Sequence, residues 1–309
     1  MKTLLLGLLL LSSPARAWWW SRTGDPLAQP RQLFAAGLYR EVVSALEPAA
    51  MQKLRGKNLR QAYLYLGESH ERLGLPDKAL GVYQVAVKLY RKDLELLTKT
   101  ARLLHAAGLD EQALPFYDQV LAIDPNNTLA NLGLAEIDHA LGFLDRSAER
   151  YEKALQEDLA GQAYIWRAYA EVLHELKDDV TAEAAVRQAI SLSPDVDSLI
   201  DLALIQRAQG RGTEAIKTLS GLKPIPPLKR MLALWLMEEG QYDSAAPLAA
   251  SLLQEDSKDP LARYISARLH LKAGRRQAAA KDLEEATAGL KTAPFVARIS
   301  AEMLKSLKP

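Results

Sequence analysis

Three histidines, His105, His139 and His174, recur at intervals of 34 and 35 residues. Histidine ligates transition metals, shuttles protons and changes charge near neutral pH, so a recurring histidine is the first place to look for chemistry. Two further columns share the interval. Glu68, Arg102, Glu136 and Glu171 form one, which continues as Leu204, Leu234 and Arg268; Leu64, Thr98, Leu132, Arg167, Ile200, Arg230 and Tyr264 form the other. Within each interval the three positions are separated by four and three residues, which places them on one face of a helix.

A metal centre fails on distance. Zinc holds its histidine nitrogens at about 2.0–2.1 Å, whereas equivalent side chains on stacked helices are about 9 Å apart. Two readings of the histidine column stay open: a pH-responsive polar strip facing a ligand, or histidines tolerated on half-exposed helices. The chain has no cysteine, no nucleophile elbow, no glycine-rich phosphate loop and no H-E-x-x-H motif, so neither an enzyme nor a cofactor is expected. The columns instead suit recognition of an extended peptide or partner helix, with Thr98, Arg102, His105, Glu136, His139, Arg167, Glu171 and His174 as the contacting residues. Reversing Arg102 or Arg167 to Glu is expected to weaken such binding. Reversing Lys88 or Arg150, on the opposite helices, is expected to be silent.

The elements that must carry these columns are read from glycine. Gly74, Gly108, Gly142, Gly210, Gly240 and Gly274 are spaced by 34, 34, 68, 30 and 34 residues. Small residues follow five positions later (Ala79, Ala113, Ser147, Ala215, Ala245, Ala279) and precede seven positions earlier (Gly67, Ala101, Ala135, Ala203, Ala233, Ala267). Two helices joined at a left-handed glycine can cross closely where both are small. One such hairpin cannot bury its apolar face alone, so a 34-residue period predicts stacked copies. Lys177 stands in one glycine place, and an irregular turn is expected there.

The segment "QAYLYLGESHERLGLPDKALGVYQVAV", with Leu66-Gly67, Gly74, Ala79, Tyr83 and Ala86, and the next interval, with Ala101, Gly108, Ala113, Tyr117 and Pro125, resemble the tetratricopeptide repeat family. The resemblance covers nearly the whole chain after residue 17. It implies an all-α, right-handed superhelical solenoid of about seven to eight helix-turn-helix repeats, with repeats starting near Thr23, Arg60, Leu94, Thr128, Ala163, Val196, Pro226 and Pro260 and a capping helix over Phe295 to Leu307. The first repeat departs most, with Pro30 and Val42 where small residues are expected. The family's carboxylate clamp uses Lys and Asn where this chain has Leu64 and Glu68, so a co-chaperone role is not implied.

Lys2, the apolar run Leu4 to Leu11 and Ala15-Arg16-Ala17 have the pattern of a secretory signal peptide over residues 1–17, which predicts export to a periplasm or medium. Without Lys2 and Arg16 the 39 basic residues become 37 against 38 acidic. That balance argues against nucleic acid as a partner. No stable membrane insertion is expected after cleavage, because no other run approaches about 18 apolar residues. Residues 18–59 are read as a Trp18-Trp19-Trp20 segment with a divergent first repeat, 60–225 as a first block and 226–309 as a second. The seam is placed at Lys223 to Pro227, where prolines shorten a helix. The expected function is an exported interaction scaffold that serves cell-envelope assembly or secretion. Two alternatives stand beside it: a self-assembling structural protein, for which a homo-oligomer is the expected partner, and a glycan or cell-wall binder using the tryptophans.

Overall fold

The computed structural model describes residues 24–223, 225–288 and 293–307, with only the backbone described at 157 and 158. The leader, Thr23 and Trp18 to Trp20 lie outside the described residues. Among the described residues there is no strand, and the chain divides into two compact units, Met1–Glu157 and Asp158–Pro309.

The first unit holds four hairpins: α1 (Ala28–Ala35) with α2 (Tyr39–Ala45), α4 (Gly56–Arg72) with α5 (Pro76–Leu89), α6 (Leu94–Ala106) with α7 (Asp110–Ile123), and α8 (Thr128–Ala140) with α9 (Leu144–Ala154). The short α3 (Pro48–Met51) joins the first two. The second unit opens with a 3-10 turn, Glu157–Gly161. Its hairpins are α10 (Ala163–Glu175) with α11 (Asp179–Leu192), α12 (Val196–Ala208) with α13 (Gly212–Ser220), α14 (Pro226–Glu238) with α15 (Tyr242–Glu255), and α16 (Pro260–Lys272) with α17 (Arg276–Thr287); α18 (Pro294–Leu307) follows. Among the described residues these are eight hairpins and a final helix, in line with the seven to eight repeats and capping helix expected.

Local chemistry sets the starts of the first helices. The side chains of Asp93, Asn127, Asp195 and Asp259 each accept a hydrogen bond from the backbone N–H three residues on, capping α6, α8, α12 and α16. Six repeats begin where the sequence places them, these four and the two whose first helices start at Ala163 and Pro226 without a side-chain cap. The second begins earlier, at Gly56 rather than Arg60, because Leu59 continues the helical phase and packs with Leu27, Val42, Leu46 and Leu54. The first repeat is the shortest, with helices of 8 and 7 residues, and it buries both Pro30 and Val42.

The small-residue columns work as expected: Ala101, Ala113, Ala135, Ser147, Ala203 and Ala215 are all fully buried where the paired helices cross. Gly67 meets a tighter demand. A Cβ there would overlap the ring of Tyr83, itself fully buried, and Gly133 stands in the same relation to Tyr117.

The turn at Lys177 corrects an expectation. At Gly108, with φ +71°, the glycine N–H donates to the His105 carbonyl (2.8 Å) and Leu109 N–H to that of Leu104 (2.9 Å). Lys177, with φ +66°, repeats this with His174 (3.0 Å) while Asp178 N–H donates to Leu173 (2.9 Å). The turn is regular; packing holds a lysine in the left-handed region that glycine takes without cost.

The expected seam near residue 225 shortens α13 to nine residues. It does not interrupt the core, because Ile216 and Leu219 before it and Leu228 after it share one apolar cluster. The boundary between the two units falls at Glu157/Asp158 instead. At the C-terminus, Met303, Leu304 and Leu307 of α18 cover Ala267, Ala279 and Leu283, the capping role foreseen for this helix.

Candidate partner-binding face

In each repeat the residues 10, 6 and 3 positions before the turn lie on one face of the first helix, so each unit has a strip built from three side chains per repeat. The two strips differ in chemistry.

In the first unit the strip runs Leu64, Glu68, Glu71; Thr98, Arg102, His105; Leu132, Glu136, His139. Its outermost column is closed off: Leu64, Thr98 and Leu132 are no more than 8 % exposed, and the Thr98 hydroxyl donates to the Leu94 carbonyl at 2.7 Å. Thr98, expected to contact a partner, therefore has little to offer one. The charged columns pair from one repeat to the next. Lys99 meets Glu68 at 2.7 Å, Arg102 meets Glu71, and His105 Nε2 lies 3.2 Å from Glu136 Oε2. Glu71 also accepts from the Tyr83 hydroxyl at 2.8 Å; burial, then the nearby Glu71 charge, pushes that phenol far up, so it stays a donor.

His105 has a second neighbour that the sequence reading missed. Its Nδ1 lies 2.6 Å from Asp110, the first residue of α7. His174 repeats the arrangement with Asp179 at 2.5 Å. The signal was present as a histidine followed five residues later by aspartate, twice. His139, which has no aspartate at that offset, is half-buried on the same face and is itself engaged. His70, one position off the column, is buried, and its Nδ1 has no partner. Burial, reinforced by Lys78, holds its pKa below the ordinary histidine value.

One expected control is overturned. Arg150 does not stand on a tolerant surface: it lies 3.1 Å from Oδ2 of Asp138, whose side chain is 1 % exposed, while Arg146 donates to the other oxygen at 2.5 Å. A glutamate at 150 would face a buried like charge. Lys88 is exposed and keeps its place as a control.

In the second unit, Arg167 donates to Asp201 at 2.6 Å, with Asp197 at 3.4 Å, and Glu171 is exposed. Beyond α10 the strip becomes Ile200, Leu204, Arg207; Arg230, Leu234, Met237; Tyr264, Arg268, Leu271. Leu204 is 40 % exposed, and Ile200, Leu234 and Tyr264 are half-buried. Arg207 lies over the Trp235 ring at 4.8 Å and pairs with Glu238; Arg230 pairs with Asp259 at 2.6 Å. These faces carry side chains suited to holding another chain.

Comparison with known proteins matches this repeat architecture. Models described as tetratricopeptide repeat match residues 61–93, 132–197 and 236–294. Among curated proteins, Tetratricopeptide repeat protein 8 of Caenorhabditis elegans is 22 % identical over 215 residues, 58 % of this chain and 42 % of that protein. The TPR repeat-containing protein YpiA of Bacillus subtilis is 24 % identical over 217 residues, 69 % of this chain and 51 % of its own length. The matches thus span about half or less of these relatives. Among solved structures, a tetratricopeptide repeat protein from Parabacteroides merdae aligns with a TM-score of 0.52 at 16 % identity, covering 92 % of this chain and 97 % of its own. Pseudomonas aeruginosa pilF aligns with a TM-score of 0.51 at 20 % identity, covering 70 % and 97 %.

Proposed function

Because this chain belongs to the tetratricopeptide repeat family, we propose that it is a non-enzymatic interaction scaffold, exported from the cell, that holds a partner protein or peptide against the face formed by its first helices. The observation that carries this reading is the strip itself. Hairpin stacking buries the crossing residues completely, yet at the positions 6 and 3 before the turn it leaves Arg102, His105, Glu136 and His139 partly or fully exposed on successive helices. Side chains aligned in this way on a stacked scaffold present one continuous surface to a chain running across the repeats. Export rests on the leader pattern of residues 1–17. Among the described residues no helix is long and apolar enough to cross a membrane.

The test is affinity capture from the native cell envelope with four versions of the full chain: wild type, Arg102→Glu, Arg167→Glu and Lys88→Glu. A partner held on the first-helix face should be retained by wild type and Lys88→Glu and reduced by either arginine reversal. Melting temperatures should change little, since an exposed ion pair contributes only about 0–1 kcal/mol to folding. Equal capture by all four versions would remove the stretch of the first-helix face that carries Arg102 and Arg167 as the binding surface.

A further inference from the structure

The two strips do not ask for the same partner. In the first unit the nine strip positions hold three glutamates, one arginine and two histidines; on α12, α14 and α16 the nine equivalent positions hold three arginines and no acid. The surroundings sharpen the contrast. Arg207 and Arg230 each have a carboxylate, Glu238 and Asp259. Arg268 has none: it donates to the Tyr264 hydroxyl at 2.8 Å and lies over that ring. Lys272, one turn on, sits 3.9 Å above the Tyr242 ring. Among the described residues no carboxylate pairs with Arg268 or Lys272, so two cations at the α16 end of the strip are held only by neutral aromatic groups. Next to them in the direction of α12 lie Leu234 and then Leu204, apolar at the places where the first unit has glutamate and arginine.

We propose that the strip on α12, α14 and α16 binds an acidic peptide segment with apolar side chains, its carboxylate seated on Arg268 and Lys272 and its apolar groups on Leu234 and Leu204. This deepens the scaffold reading and rests on it. Charge complementarity selects the occupant. A guanidinium without an acid partner attracts a carboxylate at little cost, because no existing ion pair must be broken. In the first unit the same ligand would have to displace Glu71 from Arg102. Geometry also sets a spacing. Packed helices have axes about 8–10 Å apart, and an extended chain advances about 3.3 Å per residue. The ligand should therefore carry its acid and its apolar residues about three positions apart.

A random twelve-residue peptide library selected on the full chain provides the probe, with enriched peptides measured by fluorescence polarisation against wild type, Arg268→Glu, Arg268→Gln, Leu204→Glu and Arg102→Glu. The expected peptides pair Asp or Glu with aliphatic or aromatic residues. They should bind Arg268→Glu and Leu204→Glu roughly tenfold or more weakly, bind Arg102→Glu like wild type, and weaken with salt. Arg268→Gln and the circular dichroism melts separate lost charge from lost folding. Enriched peptides that are basic or uncharged, or that ignore changes at both 268 and 204, overturn the proposal; if they respond to Arg102→Glu, the scaffold reading survives with its site in the first unit. Enrichment of no peptide would overturn both.

Discussion

Replacing Lys177 by glycine should stabilise the protein, although it removes a side chain and touches no core residue. Lys177 is exposed and holds φ +66° in a turn whose two hydrogen bonds match those around Gly108. A side chain in the left-handed region costs about 1–2 kcal/mol, which glycine would recover. Against this stands the extra freedom glycine has when unfolded, about 0.4–1 kcal/mol. The net gain should centre near about 0.8 kcal/mol and not exceed about 1.6, or about 2–3 °C in melting temperature at the centre for a unit of this size. Lys177→Ala keeps the strained conformation and discards the charge beside Asp178 and Asp179, so it should stay near wild type. Gly108→Lys is the converse and should lose about what Lys177→Gly gains. Urea denaturation followed by circular dichroism reads all three, with an unchanged denaturant slope confirming that the same transition is compared. If Lys177→Gly is no more stable than Lys177→Ala, or if Gly108→Lys costs nothing, the left-handed turn is not what closes these hairpins.

Gly67→Ala should destabilise by about 1–3 kcal/mol, since its Cβ must displace a buried tyrosine; Gly81→Ala, on an open face of α5 with nothing within 4 Å, should instead gain up to about 1 kcal/mol. Thermal melts of the pair distinguish close packing at 67 from a general dislike of substitution. His70 supplies a pH dependence: its folded pKa is depressed by burial and then by Lys78, so on acidification the unfolded chain takes up a proton first. Stability should therefore fall as pH drops through the ordinary histidine range near 6.5, and His70→Asn should flatten that part of the profile; an unchanged slope in the variant would assign it to another group.

The sequence by itself determined the repeat. A 34-residue interval marked by glycine and flanked by small residues admits few solutions other than stacked hairpins, because only a residue free to turn left-handed and two helices free to cross closely satisfy both constraints at every copy. Helix starts were legible for the same local reason, as an Asp or Asn before each of four first helices supplies the missing acceptor. The Lys177 turn shows where local propensity ends: the small residues seven before and five after it, Ala170 and Ala182, fit the pattern and are buried, and the packing of their helices overrides the preference of one side chain. The boundary between units was likewise hidden, since prolines at 224, 226 and 227 announce a break in a helix and say nothing about whether Ile216 and Leu228 share one cluster. For the binding face, the sequence determined which residues share a side of a helix. Tertiary structure decided which are used up. Contacts such as Glu71 with Arg102, Asp138 with Arg150 and Lys272 with Tyr242 depend on side-chain reach across helices, and that reach separates a charge already satisfied within the fold from one left facing outward.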